Sequence, residues 1–147
     1  LGQREKVWEL FSMMQPINQA RDIYKVEPYV MAADVYANES HQGRGGWTWY
    51  TGSAGWMYQF IIGSLLGMEL IADKLKFNPC FPVEWPFVTI RYQYGKSVYI
   101  ISLSQINHGA SRWIMDNLQG EGNLITLIDD GCEHNVKVYT SFLESKR

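Results

Sequence analysis

The sequence predicts an α+β fold in which helices precede strands. Apolar residues recur at helical spacing up to about residue 67, and beyond that point they alternate with period two. Gly95 and Lys96 separate two alternating runs, which is typical of a β-hairpin. Because helices and strands are segregated along the chain, two layers or two subdomains are expected rather than βαβ units. The boundary is predicted near residues 67–73, with a helical unit over 1–67 and a β unit over 68–147.

Three helices are predicted in the helical unit. The first covers residues 5–15, where apolar residues recur at helical spacing until Pro16 ends the run. The second covers residues 29–36, directly after Pro28 at the helix start. A polar, glycine-rich loop is predicted at 38–46. The third helix covers residues 53–66 and is apolar nearly all round, so it is expected to be buried.

Short alternating runs predict the strands of the β unit. Asp129-Asp130-Gly131 supplies a turn before the last strand. His108 and His134 are also predicted to lie in turns. The histidines of the chain show no metal-ligand spacing, so no metal site is expected. The predicted strands cover residues 74–77, 88–94, 97–103, 112–115, 123–127 and 135–139.

Composition narrows the function classes. The formal net charge of −2 and a pI near 5.9 argue against nucleic acid as a partner. Aromatic residues make up 14% of the chain, and their rings can stack on sugars or simply fill a core. Cys80 and Cys132 suggest neither a metal site nor a disulfide framework. The longest apolar stretch, 57–66, is too short to span a bilayer. Because the sequence starts at Leu1 rather than Met, a preceding segment is expected.

The glycine-rich stretch 43–56 contains the first candidate site. Thr51, Gly52 and Ser53 lie at the predicted start of the third helix. The unpaired N–H groups and the dipole of a helix N-terminus favour an anion such as phosphate. Ordinary capping of the helix by Thr51 or Ser53 is the alternative interpretation.

A carboxylate ahead of the second predicted helix is the second candidate. Glu27 directly precedes Pro28 and could bind sugar hydroxyls through charge-assisted hydrogen bonds, or could act as a helix cap. Asp34 follows on the same predicted helix. Two such carboxylates could serve as general acid and base in a glycosidase, although for Asp34 a bond to a neighbouring backbone group is the favoured interpretation.

Two long motifs resemble a known family. They are YKVEPYVMAADVY at residues 24–36 and GRGGWTWYTGSAGWMY at residues 43–58. Both resemble the C-terminal region of cyclic β-1,2-glucan synthases and of their relatives, the 1,2-β-oligoglucan, cellobiose and chitobiose phosphorylases. NPCFP at 78–82 with Trp85, and Asp129-Asp130-Gly131, are similar to the closing β-domain of that family. The resemblance implies that residues 1–67 are the last helices of an (α/α)6 barrel, and that residues 68–147 form an antiparallel β-sandwich.

The resemblance also implies an activity. In this family inorganic phosphate attacks the anomeric carbon of a β-glucan with inversion, while an aspartic acid protonates the leaving oxygen. Phosphate is then a co-substrate, and no cofactor is expected. The family's phosphate-binding Thr-Gly pair matches Thr51 and Gly52. The family's sugar site matches Glu27, with Arg44 and Trp47 on the adjacent loop.

Two departures from the family pattern stand out. The general acid and two phosphate-binding arginines of the family lie upstream of the segment that matches this chain, so no catalytic residue is assigned here and Asp34 is not given that role. At Gln19, relatives usually carry a phosphate-binding histidine. Gln19 can donate a hydrogen bond but cannot carry a charge. The segment 19–24 is also shorter than in relatives.

The sequence therefore favours a phosphorylase-type fragment that is inactive by itself. A non-catalytic carbohydrate-binding or structural module, and an interaction protein that uses its aromatic surface, are the alternatives. The expected partners are a β-glucan or oligosaccharide, phosphate, and the upstream barrel segment. Without that segment, partial exposure is expected for Trp8, Phe11, Trp56 and Phe60, and a homodimer is one option. The expected location is the cytoplasm, with the cytoplasmic part of an inner-membrane synthase as one option.

Overall fold

A computed structural model of the chain describes residues 4–19, 22–82 and 84–141. Helix α1 is followed by a 3-10 turn, an irregular segment with two very short strands, and helix α2, which continues as a π-helix. These elements are α1 (Arg4–Met14), the 3-10 turn (Pro16–Gln19), β1 (Asp34–Val35), β2 (Gly45–Gly46), α2 (Thr51–Gln59) and the π-helix (Phe60–Leu65). Within the described residues, no helix is long and apolar enough to cross a membrane.

Eight strands follow the helices in the described part of the chain. They form a five-stranded sheet in the order β5-β6-β10-β7-β8 and a three-stranded sheet in the order β3-β4-β9. The strands are β3 (Met68–Ile71), β4 (Lys74–Phe77), β5 (Val88–Tyr94), β6 (Ser97–Ile106), β7 (Arg112–Met115), β8 (Leu118–Glu121), β9 (Leu124–Thr126) and β10 (Glu133–Ser141). The chain is thus a mixed α+β structure, as predicted.

Both sheets contribute to one hydrophobic core. Side chains alternate between buried and more exposed along β6 and β10, because successive residues of a strand point to opposite faces. The core also takes Val7 from α1 and Leu65 from the π-helix, so the helical segment packs against the sheets. The fully buried side chains of the sheets include Leu75, Phe77, Tyr99, Ile101, Leu103, Ile125, Val136 and Val138.

The expectation of purely antiparallel pairing is wrong for the central pair of the larger sheet. Strands β6 and β10 run parallel, with Ile101 opposite Val136 and Leu103 opposite Val138. The other pairs of both sheets are antiparallel. Three strands lie between β6 and β10 in the sequence, and this connection is long enough for the crossover that a parallel pair needs.

All six predicted strands are present, within a few residues at their ends. The Gly95-Lys96 turn joins β5 to β6, and Gly95 has a φ of 57°, as a tight turn requires. Strands β3 and β8 were not predicted. Strand β3 (MELI) has one buried residue and β8 (LQGE) has none. Both therefore lack the alternation that marks a half-buried strand.

The predicted helix at 29–36 is wrong. Its last part forms β1, which pairs with β2 so that Asp34 lies opposite Gly46 and Val35 opposite Gly45. A helix of eight residues is marginal in water unless an apolar face is packed. Here Tyr29, Val35 and Tyr36 are exposed, so packing does not favour the helix, and the extended backbone pairs with the glycine strand instead.

The expected burial of the third helix is also wrong. The helix forms over 51–65, but Leu65 is its only buried residue, and Trp56 is 74% exposed. The partial exposure expected for Trp56 is therefore confirmed. Trp8, Phe11 and Phe60 are half-buried, as expected, in a row of ring contacts that continues to Trp85.

His134 was expected in a turn and lies instead in strand β10, where it is buried. The strand starts with the polar residues Glu133 and His134, which show no apolar alternation. The predicted strand therefore begins too late, at Asn135. His108 does lie in a bend, at 107–109, and is exposed.

Gly67 connects the π-helix to β3 and has a φ of 62°. Its carbonyl accepts a hydrogen bond of 2.8 Å from the Asn78 backbone, and a Cβ at this position would overlap the Asn78 carbonyl. We therefore expect Gly67→Ala to lower the free energy of unfolding by more than ~2 kcal/mol, measured by urea denaturation. Gly109→Ala is the matched control, because Gly109 also has positive φ but open space around it. It should cost only ~1 kcal/mol, and equal losses in the two variants would contradict this packing.

Candidate functional site

Residues 22–50 form an irregular surface segment between the 3-10 turn and α2. Backbone hydrogen bonds hold it together: the Gly45 amide donates to the Tyr24 carbonyl at 2.9 Å, and the Tyr36 amide donates to the Arg44 carbonyl at 2.8 Å. Within the segment, Val26 and Val30 are buried. It is thus an ordered platform on which the predicted sugar-binding residues are placed.

The two glycines of β2 are needed for close packing. A Cβ on Gly45 would meet the side chains of Val26 and Tyr24, and one on Gly46 would meet those of Asp34 and Tyr36. Burial raises the pKa of the Tyr24 phenol, as expected for a ring enclosed by this segment. The glycine pair therefore allows close packing within the platform.

Glu27 lies beside two exposed aromatic rings. The Trp49 indole Nε1 donates a hydrogen bond of 3.3 Å to Glu27 Oε1, and the Trp49 ring meets Tyr29 edge-on with centroids 6.1 Å apart. Tyr29 is 73% and Trp49 66% exposed. We call Glu27, Tyr29 and Trp49 the aromatic–carboxylate patch. A carboxylate with free lone pairs beside open ring surfaces suits hydroxyl groups and the C–H faces of a sugar.

The sequence identified Glu27 but missed Trp49 and Tyr29 as its neighbours. Both belong to the two motifs that carry the family resemblance, yet a hydrogen bond across 22 positions cannot be read from spacing. The backbone itself orients the rings here. Trp47 and Trp49 both have positive φ, 51° and 64°, which is uncommon for residues other than glycine.

Trp47 lies next to the start of α2 rather than in the aromatic–carboxylate patch as defined. Its ring meets Tyr50 edge-on at 6.1 Å, and Tyr50 is the N-cap residue of the helix. Tyr50 makes no side-chain capping bond. Thr51 and Gly52, the predicted phosphate ligands, are exposed in the first turn that follows. The first N–H groups of a helix without a side-chain cap are open to water or to an anion.

Gln19 and Arg44 line other cavities. The Gln19 amide donates to the Met13 carbonyl at 2.5 Å, and its cavity, of about 500 Å³, is also lined by Met31 and Asp34. Arg44 borders two clefts of about 430 Å³ each, both shared with His41. None of these three cavities includes Thr51 or Gly52. Gln19 and Arg44 therefore line different cavities, and neither shares one of these cavities with Thr51 or Gly52.

Groups of acidic, histidine or cysteine side chains that could hold a metal ion are absent from the described part of the chain. The segment offers hydrogen-bond donors, carboxylates, the Arg44 guanidinium and aromatic surfaces. Such a set can bind and orient a neutral sugar and can approach an anion through a helix end.

Comparison with known proteins places this segment in a family. The model of the glycosyl hydrolase 94 superfamily catalytic domain matches residues 1–67. The cyclic β-(1,2)-glucan synthase NdvB of Rhizobium meliloti (strain 1021) is 42% identical over 106 aligned positions, which cover 69% of the chain. The chain belongs to the family of cyclic β-1,2-glucan synthases and β-glucan phosphorylases.

Two phosphorylases are more distant relatives. Solabiose phosphorylase of Paenibacillus borealis is 24% identical over 143 positions, or 93% of the chain, and N,N'-diacetylchitobiose phosphorylase of Vibrio proteolyticus is 29% identical over 112 positions, or 74%. The matched region spans only 4% of the length of NdvB, 19% of the solabiose enzyme and 14% of the chitobiose enzyme. The chain thus corresponds to a small part of each relative.

Gly46 gives a test of the platform. We expect Gly46→Ala to disrupt the β1–β2 pair, because the new Cβ has no room beside Asp34 and Tyr36. Exchange of the Ala33 and Tyr36 amides, which donate across this pair, should become fast by hydrogen-exchange mass spectrometry. Gly55→Ala is the control: it lies in α2 with open space, and alanine should stabilise the helix by up to ~1 kcal/mol. Unchanged protection in Gly46→Ala would show that the platform has a different packing.

Proposed function

We propose that this chain is the C-terminal part of a glycoside phosphorylase-type enzyme that converts a β-glucan and inorganic phosphate into a sugar 1-phosphate with inversion. The observation that carries the proposal is the 42% identity to a cyclic β-(1,2)-glucan synthase over 106 positions. The two phosphorylase relatives support the phosphate-dependent reaction, and the synthase supports a β-1,2-linked glucan. The aromatic–carboxylate patch provides a surface of suitable chemistry.

In this proposal the patch binds the sugar. Glu27 accepts hydrogen bonds from sugar hydroxyls while Trp49 fixes the carboxylate through its indole N–H. The rings of Trp49 and Trp47, exposed on the same loop, offer faces for stacking. Arg44, also exposed, serves the sugar from the neighbouring cleft.

Phosphate binds at the start of α2 in this proposal. The Thr51 hydroxyl donates to the anion, and the backbone amide of Gly52 is a second donor. Gln19 contributes at most a neutral hydrogen bond, and in the structure its amide is turned to the Met13 carbonyl. No cofactor takes part, since phosphate is itself the nucleophile.

The proposed reaction is a single displacement. A phosphate oxygen forms a bond to the anomeric carbon as the glycosidic C–O bond breaks, and a carboxylic acid gives its proton to the leaving oxygen. That acid belongs to the preceding segment of the parent protein. The residues of this chain bind and orient the two substrates.

The decisive experiment compares two proteins, this chain alone and the parent protein that contains it. Release of glucose 1-phosphate is measured from β-1,2-glucooligosaccharides and from cellobiose, with and without phosphate. We expect release by the parent alone, with the β-1,2 substrate preferred. Sugar binding by the parent without any phosphate-dependent release would favour the alternative function, a non-catalytic carbohydrate-binding or structural module.

Two exposed rings of α2 support a further part of the proposal. Trp56 and Tyr58 are both largely exposed, and the preceding barrel segment of the parent would cover them. In the isolated chain these rings are available for association into a homodimer. We place the parent in the cytoplasm, and the cytoplasmic part of an inner-membrane synthase is the form that the synthase relative suggests.

Thr51 distinguishes an anion site from an ordinary helix start. In the parent protein, Thr51→Val should raise the KM for phosphate roughly tenfold or more, because a hydrogen bond to a charged group is worth ~1.5–3 kcal/mol. The KM for the glucan should change little. Thr48→Val, the same substitution three residues upstream on the exposed loop, should leave both constants unchanged. Equal phosphate KM values in the two variants would remove Thr51 from the phosphate site.

Glu27 tests the aromatic–carboxylate patch. Glu27→Gln retains an acceptor for the Trp49 indole but removes the charge, so we expect several-fold weaker glucan use with an unchanged Tm. Glu121→Gln, at an exposed residue of strand β8, is the control and should have no effect on either quantity. A lower Tm with unaltered glucan kinetics would show that Glu27 only stabilises the platform.

A further inference from the structure

A buried histidine in the β-domain is bonded on both ring nitrogens to carboxylates. His134 Nδ1 lies 2.9 Å from Asp116 Oδ2, and His134 Nε2 lies 3.1 Å from Asp130 Oδ1. The residue is 8% exposed. A neutral imidazole has one donor and one acceptor nitrogen, whereas only the imidazolium can donate to two carboxylates at once. The geometry is therefore that of a protonated ring.

Each of the two carboxylates also accepts hydrogen bonds from other groups. Asp116 Oδ1 accepts from the Asn135 amide at 2.9 Å, and Asp130 Oδ1 accepts from the Cys132 amide at 2.9 Å and from Ser97 Oγ at 3.0 Å. The His134 ring, with the Asn135 amide, holds the pKa of Asp116 below its usual range. The Cys132 amide, with Ser97 and His134, lowers the pKa of Asp130 to about 2. Both groups are thus anions at ordinary pH.

The third neighbour of the ring is uncharged. Tyr99 stacks on His134 with centroids 4.7 Å apart, and burial raises the pKa of its phenol. Its hydroxyl donates to the Ile128 carbonyl at 2.9 Å and accepts from the Ile128 amide at 2.6 Å. Asp129, next in the turn, accepts instead from the Lys96 amide at 2.6 Å. Within the described residues, the charged groups that contact His134 are then Asp116 and Asp130.

The cluster connects three parts of the fold. Asp116 lies in the turn between β7 and β8, Asp130 in the turn that precedes β10, and His134 in β10 itself. The turn before β10 is tied in the same way to the β5–β6 hairpin, since the buried Ser97 Oγ accepts from the amides of Asp130 and Gly131, both at 2.9 Å. Loss of the hydrogen bond between His134 and Asp130 would therefore loosen the 128–132 turn.

We propose that His134 is a pH-sensitive clamp of the β-domain, which as an imidazolium ties the 116–117 turn to the 128–132 turn and on losing its proton must release one of them. The proton is lost to solvent, and no covalent bond changes. The neutral ring still donates one hydrogen bond, to one of the two carboxylates. The released carboxylate turns to water, for which it is already half open.

The direction of the effect follows from linkage. The bond to Asp116, with a smaller contribution from Asp130, raises the pKa of His134 against the opposing effect of burial. A raised folded pKa gives stability that is present below the unfolded value of ~6.5 and lost as pH rises through the folded value. The two lowered carboxylate pKa values give stability that is present above ~4 and lost as pH falls through their folded values. The clamp is thus closed between about pH 4 and 6.5 and loosens on the alkaline side.

The test measures the ring and the turn together in the 147-residue chain. NMR of the imidazole nitrogens gives the titration midpoint of His134, and hydrogen exchange gives the protection of the Ile128 and Cys132 amides from pH 5 to 9. We expect a midpoint above ~6.5 and both nitrogens protonated below it. Each unit by which the midpoint exceeds ~6.5 should correspond to about a tenfold loss of protection across the titration, after correction for intrinsic exchange.

Two variants and one control distinguish the effect of His134 from a general loss of amide protection at high pH. His134→Gln should abolish the pH dependence of protection at Ile128, while the exposed His108→Gln should retain it. Asp116→Asn keeps a hydrogen-bonding group but not the charge, so it should shift the His134 midpoint downwards. A midpoint at or below ~6.5 in the unmodified chain would overturn the proposal. The same pH dependence in His134→Gln as in His108→Gln would also overturn it.

Discussion

The parallel pairing of β6 with β10 is the constraint on which the rest of the two sheets depends. It sets the register that puts Ile101 opposite Val136 and Leu103 opposite Val138, and all four side chains are buried in the core shared with the smaller sheet. The two strands are joined by a long connection that contains β7, β8 and β9. Because β10 enters the centre of the sheet after that connection, the turn that precedes it must be held in place.

The residues that hold this turn are polar and lie at the edge of the core. Ser97 is fully buried at the start of β6 and bonds the Asp130 side chain and the two amides that follow Asp129. His134 is the second residue of β10 and bonds the same carboxylate. The polar cluster and the apolar core therefore hold the same strands, β6 and β10, in place. Buried polar groups of this kind are tolerated because every partner is satisfied.

The segment 22–50 is ordered in a different way. Residues 22–50 contain little regular structure, and their order comes from backbone hydrogen bonds and from two glycines that allow close approach. This arrangement leaves the rings of Tyr29 and Trp49 exposed beside Glu27. Binding residues are often carried on such loops, positioned by a rigid neighbour. Helix α1 and the π-helix, which flank the segment in the sequence, pack on the sheets through Val7 and Leu65.

By itself, the sequence determined the order of helices and strands, the six clearly alternating strands, the β5–β6 hairpin and the family, because period-two patterns, turn residues and long motifs are local signals. It also identified Glu27 as a candidate. Tertiary structure alone decided that residues 29–36 are not helical, that β10 pairs in parallel with β6, that Trp49 bonds Glu27, and that His134 is buried between two aspartates. Each of these depends on residues far apart in the chain, and their contact energies override local preference only once the chain has folded.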